Sequence, residues 1–151
     1  MIRRFSFSDM DRIMNIERQS FPKSPYNWTT FINLHYLYPE TFWVYVDTNQ
    51  NQREGQIWGY IIFSQDGHII SIAIHPQRRR RGIGKELLEK AINDYHIRRT
   101  WAEVRKSNKG AQAFYHHMGF QIVGEIPNYY GNEDALIVQW THSAPTQTPL
   151  T

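Results

Sequence analysis

The densest group of chemistry-bearing residues is His75-Pro76-Gln77-Arg78-Arg79-Arg80-Arg81-Gly82-Ile83-Gly84-Lys85, where four of the 17 basic residues stand in a row. Strand-like sequence enters this stretch and an amphipathic helical pattern leaves it. The first turn of a helix offers unpaired N–H groups and the positive end of the helix dipole. Glycines let another molecule approach that backbone closely, and the arginines add charge. Together these make an anion cradle, most naturally for phosphates. The glycine spacing fits neither a Walker loop nor a dinucleotide fingerprint. A solvated charge run and a nucleic-acid patch are the competing readings. Neither needs Gly-x-Gly to open a helix directly after a strand, so the context favours the cradle.

Composition bounds what such a cradle can serve. The chain has 151 residues, enough for one domain, with 40% hydrophobic and 15% aromatic residues. That content excludes intrinsic disorder, which needs low hydrophobicity and high net charge. The 9 glycines and 7 prolines exclude a collagen-like composition. Cysteine is absent, so there is no disulfide, thiolate metal site or cysteine nucleophile. The seven histidines are scattered, and the adjacent pair His116-His117 cannot share a ligand on a helix, so no metal is expected. No apolar run reaches the roughly 18 residues of a membrane span. Asp9 and Asp11 interrupt the basic N-terminus before any apolar signal segment, and a cytoplasmic location is the expectation. The net charge of +3 is too small to argue for nucleic acid.

The elements that must position the cradle follow from periodicity. A first strand is expected over Ile2–Phe7, then a helix over 9–20 capped by Asp9 and stopped by Phe21-Pro22. A second helix is expected over Trp28–Tyr38. Thr41–Val46, Ile57–Phe63 and His68–Ile74 read as strands of an antiparallel meander, with a polar turn over Asp47–Gly55 and an Asp66-Gly67 hairpin turn. Ile83, Leu87, Leu88, Ala91, Ile92 and Tyr95 share one face of a third helix. Thr100–Arg105 is a strand that places Trp101, Glu103 and Arg105 on one face. Ser107-Asn108 caps a fourth helix that Gly119 stops. Phe120–Ile126 and Ala135–Trp140 complete the strands. Residues 1–141 read as one α/β domain, with 142–151 as a flexible tail.

At this point the sequence resembles a known family. Arg79-x-x-Gly82-x-Gly84 between strand and helix is similar to the acetyl-CoA pyrophosphate loop of the GNAT N-acetyltransferases. Gly67-His68-Ile69-Ile70-Ser71-Ile72-Ala73-Ile74 resembles the strand before that loop, particularly in NatA-type catalytic subunits and their archaeal relatives. Glu103-Val104-Arg105-Lys106-Ser107-Asn108, with Ala111, Tyr115 and Gly119-Phe120, resembles the second half of the RimI/NatA branch. Phe21-Pro22, Tyr129-Tyr130 and Glu133-Asp134-Ala135 extend the likeness over about residues 2–140. The resemblance implies a GNAT fold, a mixed central sheet of seven strands with four helices.

It also implies roles. The backbone of Ile72, Ala73 and Ile74 would bond the pantetheine arm of acetyl-CoA. Arg79, Arg80, Arg81, Gly82, Ile83, Gly84 and Lys85 would hold the pyrophosphate. Arg80 departs from the small residue usual at its position. Asn108 would contact the cosubstrate as well as cap its helix. Tyr115 stands at the family's general acid, and a phenol with a pKa near 10 keeps its proton until a thiolate needs it. Adjacent helical residues face different ways, so Phe114 in the core would leave Tyr115 to the cosubstrate. Glu103 stands at the general base, directly or through water; an ion pair to Arg105 is its competing use. Phe21, Pro22, Tyr26, Tyr129 and Tyr130 would grip the substrate N-terminus, against a plain packing role. Glu17 is a further carboxylate expected near that mouth.

The implied activity is acetyl transfer from acetyl-CoA to a protein or peptide α-amine by direct attack in a ternary complex, without a metal. Such enzymes work beside the ribosome or an auxiliary subunit; monomer and homodimer stay open. A small amine or a lysine side chain is the alternative acceptor. A basic nucleic-acid module is the alternative of another class. It predicts salt-sensitive binding through Arg78–Arg81 that acetyl-CoA does not relieve.

Overall fold

A computed structural model describes residues 1–47 and 55–142. The strands are β1 (Ile2–Arg4), β2 (Phe42–Asp47), β3 (Gln56–Phe63), β4 (Ile69–Ile74), β5 (Arg99–Arg105), β6 (Gln121–Ile126) and β7 (Ala135–Thr141). The helices are α1 (Met10–Ser20), α2 (Trp28–Leu37), α3 (Ile83–Tyr95) and α4 (Lys109–His117). These are the seven strands and four α-helices of the expected α/β fold. They form two hydrogen-bonded sheets, β1-β2-β3-β4 and β5-β7-β6, and each ladder is antiparallel. The one isolated parallel bridge among the described residues joins His68 to Trp101. No helix is long and apolar enough to cross a membrane.

The chain divides into two compact units, Met1–Ser64 with Ile69–Asp94, and Gln65–His68 with Tyr95–Thr151. In the first, the meander gains β1 as a fourth strand. Phe5, Phe31, Phe42, Val44, Tyr60, Ile62 and Ala73 are buried with Met10, Ile13 and Ile16 of α1 and Leu34 of α2. Phe5 stacks on Phe42 at 4.2 Å between ring centroids. Buried Thr41 donates its hydroxyl proton to the Phe63 carbonyl, fastening the start of β2 to the end of β3.

In the second unit β7 lies between β5 and β6, and the burial along β5 alternates strictly, with Thr100, Ala102 and Val104 inside. Gly67 adopts φ +110°, and a Cβ there would lie 2.0 Å from the Arg99 carbonyl oxygen. The Asp66-Gly67 turn therefore requires glycine on two counts, conformation and close approach.

Several boundaries moved. The expected strand Ile2–Phe7 stops at Arg4 because Phe7–Asp9 turn as a 3₁₀ helix. Asp9 precedes α1 as expected but makes no side-chain cap to it. Its carboxylate accepts from the Ser6 N–H at 2.9 Å and from both terminal nitrogens of Arg3 at 2.8 and 2.9 Å. Asp47 belongs to β2 rather than to the turn, whose residues 48–54 lie outside the described residues, as do 143–151 of the expected tail.

Phe42 is fully buried, so Phe42→Ala should cost about 3–5 kcal/mol of stability in chemical denaturation. A loss below about 1 kcal/mol would place the core of the first unit elsewhere.

Candidate active site

The arginine run is not one surface; each residue is used differently. Arg78 lies over the Trp58 ring at 4.1 Å, and Arg12 makes a second contact with that ring at 4.9 Å. Arg79 is exposed but bonded, its Nε donating to the Ile74 carbonyl at 3.1 Å and its terminal nitrogen to Ser20 Oγ at 3.2 Å. It braces the end of β4 and the end of α1. Arg80 and Arg81 are exposed. His75 Nδ1 accepts from the Gln77 N–H at 3.1 Å. Burial pushes the His75 pKa down, helped by the charges of Arg12, Arg79 and Arg78.

Two residues of the turn are left-handed, Arg80 at φ +64° and Gly82 at φ +81°. Glycine is comfortable in that conformation and arginine is not. No atom lies within 4 Å of a Cβ built on Gly82, so that backbone is open to another molecule. α3 begins at Ile83, and the Glu86 N–H bonds the Gly82 carbonyl at 2.9 Å. The amides ahead of Glu86 in that first turn have no carbonyl partner within the helix. This geometry suits an anion of pyrophosphate type.

In the second unit, β5 points Trp101, Glu103 and Arg105 to one side. Glu103 does not pair with Arg105. Its Oε1 lies 2.8 Å from His68 Nε2, and the Tyr129 phenol is close enough to feel the charge of the same carboxylate. His68 stacks on Trp101, with ring centroids 5.3 Å apart and planes 3° apart. The hydrogen bond to Glu103 raises the His68 pKa above its ordinary value of 6.5, against partial burial and with help from the charges of Glu103 and Asp66. Burial, and then the negative charge of Glu103, raise the Tyr129 pKa. Arg105 bonds Glu133 at 3.1 Å and Asn132 at 3.3 Å and covers the Tyr130 ring at 4.2 Å. Glu133 also accepts from the Ser107 N–H at 2.7 Å. Tyr129 and Tyr130 meet edge to face at 4.9 Å on the same loop.

Asn108 is the cap of α4, its Oδ1 accepting from the Ala111 N–H at 2.9 Å. The expected division of Phe114 and Tyr115 is reversed. Tyr115 is the buried member, 6% exposed, with its ring 5.1 Å from Phe120, while Phe114 is partly exposed. The two rings meet edge to face at 5.4 Å, and the Phe120 N–H bonds the Tyr115 carbonyl at 3.0 Å.

In the first unit Phe21 ends α1, Pro22 is exposed, and Tyr26 packs edge to face on Phe31 at 5.7 Å. Ile72, Ala73 and Ile74 are buried on β4. Glu17, expected near the substrate mouth, is 2% exposed and accepts from the Tyr26 N–H at 2.9 Å. The residue that sequence reasoning missed is His68. It stands 35 positions before Glu103, and only the bridge to Trp101 makes them neighbours.

A family model for the GNAT acetyltransferases matches residues 10–120, and the chain belongs to that family. It is 31% identical over 153 residues to an N-alpha-acetyltransferase of Saccharolobus solfataricus, covering 91% of this chain and 90% of the relative. A putative ribosomal protein bS18-alanine N-acetyltransferase of Bacillus subtilis is 34% identical over 145 residues, covering 91% and 92%. The crystal structure of Ard1 from Thermoplasma volcanium superposes with a TM-score of 0.77 at 27% identity, covering 95% of this chain and 97% of that one.

Two outcomes follow. A histidine whose folded pKa is raised adds stability below its ordinary value, and that contribution is lost as pH rises through the folded value. Glu103→Gln should therefore lower the His68 ring midpoint in an NMR titration and flatten stability between pH 6.5 and the raised folded value; an unmoved midpoint would mean that Glu103 does not hold this ring. Arg80→Gly should stabilise the fold by about 1 kcal/mol, read as a higher melting temperature, because it removes a left-handed side chain; a lower melting temperature would mean that the arginine side chain is used.

Proposed function

We propose that this chain transfers acetyl from acetyl-CoA to the N-terminal α-amine of proteins or peptides. The observation that carries the reading is the Glu103 carboxylate on β5, held by His68 and near Tyr129 of a loop whose paired tyrosines suit a peptide backbone. The relatives named above as N-alpha-acetyltransferase and bS18-alanine N-acetyltransferase support the same acceptor class.

The reading requires one acetyl-CoA to reach both the loop after β4 and Glu103. The open backbone at Gly82 and the first turn of α3 hold the pyrophosphate, and the edge of β4 at Ile72–Ile74 holds the pantetheine arm. Asn108 caps α4 through its oxygen and offers its amide N–H groups to the cosubstrate. The substrate amine attacks the thioester carbonyl carbon. A C–N bond forms, the C–S bond breaks, and the electron pair leaves on sulfur. The α-amine has a pKa of about 7.7–8.0, so its deprotonation needs only modest help. Glu103, oriented by His68, takes that proton directly or through water. Tyr115 gives its proton to the thiolate.

The test is mass spectrometry after incubation with acetyl-CoA and peptides carrying Ser, Ala, Thr, Met-Leu or Met-Glu N-termini. Each peptide is paired with an α-blocked twin that contains an internal lysine. Acetylation of free N-termini alone is expected, and Glu103→Gln and Tyr115→Phe should each cut turnover by about 10²–10⁴ with cosubstrate binding kept. Modification of the blocked twins would move the acceptor to lysine. No peptide product, with acetyl-CoA still raising the melting temperature, would move it to a small amine.

A further inference from the structure

We propose that Glu17 is a positioning residue: its buried carboxylate ties the loop between α1 and α2 to the sheet and thereby sets the affinity for the acceptor peptide. The inference rests on the reading of Phe21, Pro22 and Tyr26 as residues that grip that peptide.

Glu17 lies one turn before the end of α1 and is 2% exposed. Both of its oxygens are engaged. Oε2 accepts from the backbone N–H of Tyr26 at 2.9 Å, nine residues along the chain. Oε1 accepts from the hydroxyl of Tyr60 on β3, a fully buried residue. That hydroxyl also shares a hydrogen bond of 3.0 Å with Ser71 Oγ on β4. One side chain thus connects α1, the loop, β3 and β4 inside the first unit. Desolvation raises the Glu17 pKa, and the bonds from Tyr26 and Tyr60 oppose that rise.

A carboxylate is a poor choice for stability alone, since desolvation consumes most of what its bonds return. It is a good choice for geometry. Phe21 to Tyr26 contains two prolines, Pro22 and Pro25, neither of which can donate an amide hydrogen bond. The Tyr26 amide is where this stretch can be fastened, and Glu17 fastens it. The same bond fixes the backbone beneath the Tyr26 ring, which rests on Phe31. Releasing it would leave the gripping residues to be ordered by the peptide itself, and that cost falls on binding.

The test is steady-state kinetics at saturating acetyl-CoA, with the peptide the wild type acetylates best, on Glu17→Ala, Glu17→Asp and Glu17→Gln. Alanine removes the acceptor and aspartate is too short to reach both donors. Each should raise the peptide KM about tenfold, with kcat within about twofold. Glutamine keeps an oxygen for the Tyr26 N–H and should stay within about threefold of the wild-type KM. A role in stability alone predicts less active enzyme at an unchanged KM, and that result overturns the proposal. If the alanine and aspartate variants do not fold, hydrogen exchange on the wild type decides. A Tyr26 amide protected far beyond that of Ser24 supports the clamp, and equal exchange overturns it. A wild type that acetylates no peptide defeats the functional reading and this inference with it, whereas an active wild type with unmoved KM values defeats only the inference.

Discussion

Strand β5 can bury only every second residue, and the arrangement around the candidate base follows from that constraint. Thr100, Ala102 and Val104 fill the inner side, so Trp101, Glu103 and Arg105 must face the other way. Each then needs a partner there. Trp101 receives the His68 ring, Glu103 receives the His68 nitrogen, and Arg105 receives Tyr130, Asn132 and Glu133. A shift of one residue in the β5–β7 register would turn all three inward and dismantle the set. The site's precision is therefore inherited from the pleat, and Arg105 holds the loop between β6 and β7 against β5.

The loop after β4 achieves a different end by different means. Backbone conformation rather than side-chain charge defines it: two left-handed residues, an open glycine and a helix start. Of the four arginines, one is occupied by Trp58 and another by Ile74 and Ser20. The run is thus partly structural, which weakens both the solvated-face and the nucleic-acid readings of it. Arg80 accepts an unfavourable left-handed conformation in this turn.

Most of this was legible in the sequence, for identifiable reasons. Hydrophobic period gave the helices and strands because each buries one face, and Pro22, Gly67 and Gly119 mark real ends or turns. What stayed hidden depends on long-range neighbours. The first strand was drawn too long because Ser6 and Asp9 bond each other locally and turn the chain at Phe7. Adjacency does not say which of Phe114 and Tyr115 is the more buried, whereas contact with Phe120 shows that it is Tyr115. Glu103 was given Arg105 as its rival partner because alternation puts them on one face. The actual partner, His68, comes from the turn before β4, and no local spacing announces it. The sequence puts Glu17 near the substrate residues Phe21 to Tyr26 but does not show its burial, which its bonds to Tyr60 and Tyr26 make possible.

The central claim is that one chain brings an acceptor peptide and acetyl-CoA into direct reaction, without a covalent enzyme intermediate. The most direct measurement is calorimetric titration with a conjugate of CoA joined to the N-terminus of an acceptor peptide, beside CoA alone and the peptide alone. If both halves occupy one reacting site, the conjugate binds at least about a hundredfold more tightly than CoA, because the second contact is then intramolecular. A conjugate that binds no better than CoA would contradict the account, since the peptide half would have no place beside the thioester.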